Sequence, residues 1–146
     1  MKVVIVGGVA GGASCAARLR RLDETAEIIM VERGPYLSYA NCGLPYHVGG
    51  VIPEESKLLV ASAAMFRALF LVDARTHCEA IAISPDRKTV DLKNIETGEV
   101  TTESYDKLVL SPGANPIRPP LPGIDLPGIF QVRTVPDARK IREWLE

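Results

Sequence analysis

The sequence predicts an α/β domain in which a βαβ unit opens a parallel sheet and an antiparallel meander follows. Three observations carry this. A β-branched run near the start, Lys2 to Val6, meets a glycine cluster; one helix later a second apolar strand appears; and from Glu79 to Leu110 the pattern changes to short alternating strands. With 146 residues, 47% of them hydrophobic, such a chain can bury roughly two-thirds of its unfolded surface. It therefore needs no disulfide or metal to hold a core.

Each element has its own signal. After Lys2 to Val6 come Gly7-Gly8-Val9-Ala10-Gly11-Gly12 and a stretch without Pro or Gly up to Leu22, which reads strand, tight turn, helix. In that helix Cys15, Leu19 and Leu22 share one face, expected to pack, while Ser14, Arg18 and Arg21 share another, expected to meet solvent or ligand. Ile28 to Glu32 is the second strand, parallel to the first with a right-handed crossover. Asn41 is expected to cap a short helix that holds Cys42 and Pro45 in its first turn. Ser62 caps another, Ala63 to Phe70, and Val72 to Thr76 returns as a strand. Turns fall at Ser84-Pro85-Asp86 and Glu96-Thr97-Gly98, and Lys107 to Leu110 runs into Ser111-Pro112-Gly113.

Six of the eleven prolines lie between Pro112 and Pro127, so this stretch is an extended connector, with Ile117, Leu121, Ile124, Leu126 and Ile129 as expected apolar anchors. Asp137 to Glu146 is helical. The expected division is 1–111 as a first domain part, 112–133 as connector and 134–146 as the start of a helix leading into a further region.

Charge and cysteine usage exclude several functions. Seventeen Lys and Arg against eighteen Asp and Glu give a formal charge of -1, too little positive field for nucleic acid or an anionic membrane surface. No apolar run reaches the roughly 18 residues of a membrane span, and the start lacks a signal-peptide pattern, so the cytoplasm is the expected location. Cys15, Cys42 and Cys78 form no C-x-x-C pair and have no histidine at zinc-site spacing, so no metal is expected.

The glycine turn points to a dinucleotide. Glycines at this junction let the backbone approach a pyrophosphate at the helix N-terminus. The spacing here is Gly7-x-x-x-x-Gly12, with Val9 where the common fingerprint has its middle glycine. Glu32, twenty residues after Gly12, stands where a carboxylate accepts hydrogen bonds from ribose hydroxyls and repels a 2′-phosphate. The pattern is that of a Rossmann-like domain and does not by itself separate NAD from FAD; the meander, the apolar strand after it and the Ser-Pro-Gly exit resemble FAD-binding domains rather than plain nicotinamide domains.

Cys42 remains open on residues alone. A thiol in the first turn of a helix faces unpaired N–H donors that favour the nucleophilic thiolate, yet free cysteines are more often packing groups. Cys15 and Cys78 read as packing. His47, five residues after Cys42, reads as a helix-surface histidine, and His77 has no partner visible in the sequence.

The segments Gly7 to Arg18 and Ser38-Tyr39-Ala40-Asn41-Cys42-Gly43-Leu44-Pro45-Tyr46 together resemble the single-cysteine pyridine nucleotide-disulfide oxidoreductases, nearest the coenzyme A-disulfide and persulfide reductases. The resemblance extends to Val9, since a non-glycine residue is normal there in that group. It implies an FAD domain, incomplete relative to the full family domain, along Gly7, Val9, Ala10, Gly11, Gly12, Glu32 and Arg33. Ala80 would lie near the adenine, and Ser111, Gly113, Arg133 and Cys42 near the rest of the cofactor. It implies Cys42 as the catalytic sulfur, NAD(P)H as electron donor at a site outside this chain, and Ser14, Arg18, Arg21, Ser38 and Asn41 as positions that hold a low-molecular-weight thiol such as coenzyme A. It also implies a homodimer for the full-length protein and little activity for these residues alone. For the two arginines a solvated helix end remains open. Two other readings stand beside it. NADH oxidases and peroxidases of the same kind carry a histidine where this chain has Ala10, and a non-catalytic adenine-dinucleotide module would keep Cys42 as packing.

Overall fold

The computed structural model describes residues 1–145, and the chain divides into two compact units. The first comprises Met1–Tyr39 and Ala61–Gly113; the second comprises Ala40–Val60 and the chain from Ala114 onward. The predicted α/β architecture with a parallel and an antiparallel sheet is present, both sheets lying in the first unit.

In the first unit β1 (Lys2–Val6), α1 (Gly11–Leu22) and β2 (Glu27–Val31) form the expected parallel βαβ, paired from Lys2 with Glu27 to Val6 with Val31. Helix α3 (Ala63–Phe70) leads to β3 (Val72–Arg75), and β7 (Lys107–Leu110) pairs with the free side of β1, giving the strand order β3-β2-β1-β7. The second sheet is the meander β4 (Cys78–Ser84), β5 (Thr89–Asn94) and β6 (Val100–Ser104), with the turns where the sequence places them.

Strand periodicity explains how the sheet is covered. Because successive side chains alternate, Val3, Ile5, Ile28, Met30, Val72 and Ala74 join Ala13 and Ala16 of α1 and Phe66 of α3 in one core. Val4, Ile29 and Val31 point the other way and pack with Val90 and Leu92 of the meander. Both faces of the central strands are thus buried, which is why they read as unbroken apolar runs. The Ser62 hydroxyl accepts from the Met65 N–H, the predicted cap of α3. Arg20 adds a tie by donating to the carbonyls of Phe70 and Leu71 where α3 ends.

Two expectations about α1 and the connector are corrected. The buried residues of α1 are Gly12, Ala13 and Ala16, with Cys15 and Leu19 only partly packed, while Leu22 is 67% exposed. Small residues let the helix lie close to the sheet, which rotates the contact stripe away from Leu22. In the connector Ile117 is 91% exposed, and Leu121, Leu126 and Ile129 also face solvent; only Ile124 is half-buried. The segment is held instead by Arg118, which donates to Asp125, by Arg133, which donates to the Ala114 carbonyl, and by an edge-on contact of Phe130 with Trp144.

The second unit holds a 3₁₀ turn (Asn41–Gly43), α2 (Leu44–Val48), a second 3₁₀ turn (Glu55–Leu58) and α4 (Val135–Leu145). Glu146, the last residue of the helix expected from the sequence, lies outside the described residues. At the start of α4, Asp137 accepts from the Thr134 N–H and hydroxyl while its own N–H donates back to that hydroxyl, a reciprocal cap. Helices α2 and α4 pack together, burying Leu44 and His47 on one and Val135, Ala138 and Ile141 on the other. No helix among the described residues is long and apolar enough to cross a membrane.

An ion-pair network joins the two sheets of the first unit. Glu103 of β6 accepts from Lys2 at 2.9 Å and from Arg75 at 2.8 Å, and Arg75 also pairs with Asp73. Burial works against the Glu103 carboxylate, but the hydrogen bonds from Lys2 and Arg75 outweigh it and hold the group below its ordinary value of 4.5. A carboxyl lowered on folding contributes stability above its unfolded value and loses that contribution as pH falls through the folded one. Glu103→Gln is expected to lower stability by about 1–2 kcal/mol at neutral pH and to flatten the loss of stability below pH 4.5. Urea melts of both proteins between neutral pH and acid measure this.

Candidate functional site

Strand order alone marks where a ligand would sit. From β1 the chain winds outward to β2 and β3, while β7 lies on the opposite side, so the order reverses between β1 and β7. Ligands of open α/β sheets bind beyond the carboxyl ends of the strands at such a reversal. Here the glycine turn leaves β1 and Ser111-Pro112-Gly113 leaves β7 at that place.

The glycines of the turn are required by contact. Gly7 has φ +95° and donates to the Val31 carbonyl at 2.8 Å; a Cβ on it would overlap the Ser111 carbonyl. A Cβ on Gly12 would overlap the Gly7 carbonyl, and one on Gly8 would enter the Leu37 side chain. At Gly11 a Cβ would come within 3.2 Å of the Ser111 Oγ. Ser111 is tied back by its N–H to the Val6 carbonyl at 2.7 Å. The N-cap of α1 is Ala10, so no side chain caps the helix, and no acidic residue lies in its first turn. An uncapped twelve-residue helix that opens on a turn of small residues fits a pyrophosphate in charge. Val9 is half-buried, and Ala10 is exposed at the rim.

Glu32 does more than the sequence suggests. Its Oε2 accepts the Gly8 N–H and its Oε1 the Gly34 N–H, each at 2.8 Å, so the carboxylate ties the turn after β1 to the loop after β2. A carboxylate has about four lone-pair sites, which leaves room for two ribose hydroxyls. The Glu32 carbonyl accepts from the Cys78 N–H at 3.0 Å, bringing the start of β4 alongside. Arg33 faces Glu79 at 3.5 Å, and Ala80 packs against the meander core at a bulge in β4. Gly7 to Gly12, Glu32, Arg33, Ala80 and Ser111 therefore occupy one end of the first unit.

On α1, Ser14, Arg18 and Arg21 are all exposed, as their shared face predicts. Ser38 sits at φ +42°, a left-handed conformation costly for a residue with a Cβ. It is held there by its N–H on the Gly8 carbonyl and by its own carbonyl, which accepts from the Ala61 N–H. Nothing in the residue pattern around Ser38 signals this conformation.

Asn41, Cys42 and Arg133 belong to the second unit. Asn41 is not the expected cap: the Gly43 N–H bonds to the Ala40 carbonyl and the Leu44 N–H to the Asn41 carbonyl, closing a 3₁₀ turn, and Gly43 is the N-cap of α2. Cys42 is thus in the turn that feeds the helix, one residue ahead of its cap, with Pro45 in the first helical turn. Its thiol is exposed, whereas Cys15 and Cys78 are half-buried and pack against the two cores. Burial pushes the Cys78 thiol up, away from the thiolate form.

His47 is a second correction. It is 3% exposed rather than on the helix surface, with Nδ1 2.6 Å from the Ile52 carbonyl. His77 lies 3.6 Å from Glu96.

A family profile described as pyridine nucleotide-disulphide oxidoreductase matches residues 1–146. The chain belongs to that family. Members of this family are FAD- and NAD(P)H-dependent. A coenzyme A disulfide reductase of Staphylococcus haemolyticus is 39% identical over 147 residues, covering 99% of this chain and 32% of the relative. The structure of reduced Bacillus anthracis CoADR-RHD superposes with a TM-score of 0.95 at 53% identity, over 99% of this chain and 26% of that one. A NAD-dependent persulfide reductase from A. fulgidus superposes at 0.94 with 39% identity, over 99% and 27%. The chain therefore spans about a quarter to a third of the length of these oxidoreductases.

The cradle has a simple test. Gly12→Ala drives its added Cβ into the Gly7 carbonyl and is expected to cost about 2–3 kcal/mol, the upper range of overpacking, whereas Gly98→Ala, a turn glycine with open space around it, costs only its positive φ of +78°. Chemical denaturation of the two variants compares them.

Proposed function

We propose that this chain is the FAD-binding part of a NAD(P)H-dependent reductase that cleaves the disulfide or persulfide of coenzyme A or a similar small thiol, with Cys42 as the sulfur that meets the substrate. One observation carries the reading: Cys42 alone of the three cysteines is exposed, on a hydrogen-bonded turn. The membership of the family and the likeness to coenzyme A disulfide and persulfide reductases support it.

In this reading FAD lies along Gly7, Val9, Ala10, Gly11, Gly12, Glu32 and Arg33, with Glu32 taking the ribose and Ala80 near the adenine, and Ser111, Gly113, Arg133 and Cys42 attend the rest of FAD. Ser14, Arg18, Arg21, Ser38 and Asn41 receive the small thiol, the guanidinium groups of one helix face suiting its phosphates. Residues 112–133 connect toward the nicotinamide-binding part. The complete protein works as a homodimer in the cytoplasm, without nucleic acid or membrane as partner.

Bound FAD supplies the relay through which the two electrons of NAD(P)H reach sulfur. The work of the chain is at Cys42. Its thiolate attacks one sulfur of the substrate disulfide, the S–S bond breaks, the first thiol leaves with a proton, and a mixed disulfide remains on Cys42. Two electrons and a second proton then release the second thiol and restore the thiolate. The sum is one disulfide, one NAD(P)H and one proton giving two thiols and NAD(P)⁺.

Cys42→Ser, made in the protein with any adjoining sequence its gene supplies, is expected to reduce disulfide turnover by at least about a hundredfold, since it removes the nucleophile, while flavin absorbance is kept. Turnover equal to the parent protein's would sink the reading; a mass adduct of coenzyme A on Cys42 would identify the substrate class.

A further inference from the structure

Helix α2 follows Cys42 directly and has five residues, too few to persist on its own in water. Something must hold it, and the bonds that do so converge from α4. On the carboxyl side of Cys42, the chain returns after Gly49-Gly50 so that the Ile52 N–H donates to the Tyr46 carbonyl. A carbonyl only accepts, so the 2.6 Å contact of His47 Nδ1 with the Ile52 carbonyl places a proton on that nitrogen. Arg142 of α4 donates to the adjacent Pro53 carbonyl at 2.8 Å and lies 3.3 Å from the same imidazole nitrogen.

On the amino side the path is parallel. Arg139, one turn earlier on α4, makes a two-pronged contact with Glu55 at 2.8 and 2.6 Å. Glu55 opens the second 3₁₀ turn, which ends at Leu58. The Leu58 carbonyl accepts from Ala40 at 2.8 Å, and its side chain is so close to Gly43 that a Cβ there would come within 2.8 Å. Ala40 and Gly43 bracket Cys42.

We propose that Arg139 and Arg142 of α4, acting through Glu55 and through the Pro53 carbonyl beside the Ile52 carbonyl that His47 holds, form a brace that fixes both sides of the Cys42 turn and makes them positioning residues for the thiol. The proposal rests on the reading of Cys42 as the reactive sulfur. The geometry also separates the two arginines: Arg142 holds the helix after the thiol and Arg139 the turn that underlies it. His47 is buried and hydrogen-bonded, and the two arginine contacts, which are exposed, clamp its surroundings from α4; directional bonds of this kind favour one arrangement over near alternatives, which a thiol that must meet two partners in turn requires.

The test uses the protein with its adjoining sequence and cofactor, as Arg139→Met, Arg142→Met, the double variant, Arg142→Lys, and Lys140→Met as a neighbouring exposed control. Hydrogen exchange of the amides between residues 43 and 48 is expected to quicken by about tenfold in the double variant and not in the control. Disulfide turnover should fall by roughly ten- to a hundredfold in kcat, the scale of an ångström-sized misplacement, with KM for NAD(P)H and flavin content unchanged. Arg142→Lys, which keeps one donor for the Pro53 carbonyl, should recover much of the loss. Unchanged exchange overturns the brace. Quickened exchange with unchanged kcat overturns the positioning role. The single variants carry both readouts if the double variant does not fold, and full turnover by Cys42→Ser overturns the reductase reading while leaving the exchange result to judge the brace.

Discussion

Backbone meets backbone where β1 turns into α1, and the first unit is arranged around that approach. The Gly7 carbonyl occupies the space where a side chain on Gly12 would be, and the Ser111 carbonyl occupies the space of one on Gly7. Three peptide segments from β1, α1 and β7 thus converge without an intervening Cβ. This closeness aims the uncapped amino end of α1 into the mouth of the sheet and leaves a recess floored by polar backbone. The Glu32 carboxylate secures the recess from the side by taking one N–H from each of two loops. A longer turn with side chains would fill the space that a phosphate needs.

The second unit reaches order by different means. Its described residues form helices and 3₁₀ turns rather than a sheet, with Leu44, Leu58, Val135, Ala138 and Ile141 as its buried aliphatic residues. Polar contacts from α4 and the reciprocal cap at its start do what apolar area does in the first unit. The consequence is a directional fixing of the thiol's turn, since a hydrogen bond constrains angle as well as distance. Under the proposed reading, an exposed cysteine on a turn held in this way would keep access to a small substrate.

Most of the first unit was legible in the residues. The apolar runs of β1 and β2, the alternation in the meander, the Ser62 cap and the glycine turn are local patterns whose physics acts within a few positions, and each is where the sequence placed it. The strand from Ile28 to Glu32 is shifted by only one residue, to Glu27–Val31. What was not legible depends on partners far along the chain. His47 has the spacing of a surface residue until α4, some ninety positions later, covers it. Asn41 is a local miss: the carbonyls of Ala40 and of Asn41 itself close a 3₁₀ turn that moves the cap of α2 on to Gly43. The aliphatic residues of the connector looked like anchors because hydrophobicity says what would gain from burial, not what surface is at hand.

The α1 stripe joins both lessons. Periodicity identified a helix correctly but assigned its contact face to the larger side chains, when the face that packs carries Gly12, Ala13 and Ala16. The same close approach that demands glycine in the turn demands small residues on the following helix, because the turn sets the height of α1 above the sheet. With the small residues inward, Ser14, Arg18 and Arg21 are rotated to solvent on the stretch of helix that leaves the recess. A single steric constraint therefore sets the uncapped amino end of α1 at the strand ends and, beside it, a cationic helix face, two features that a cofactor and a phosphorylated thiol would each require.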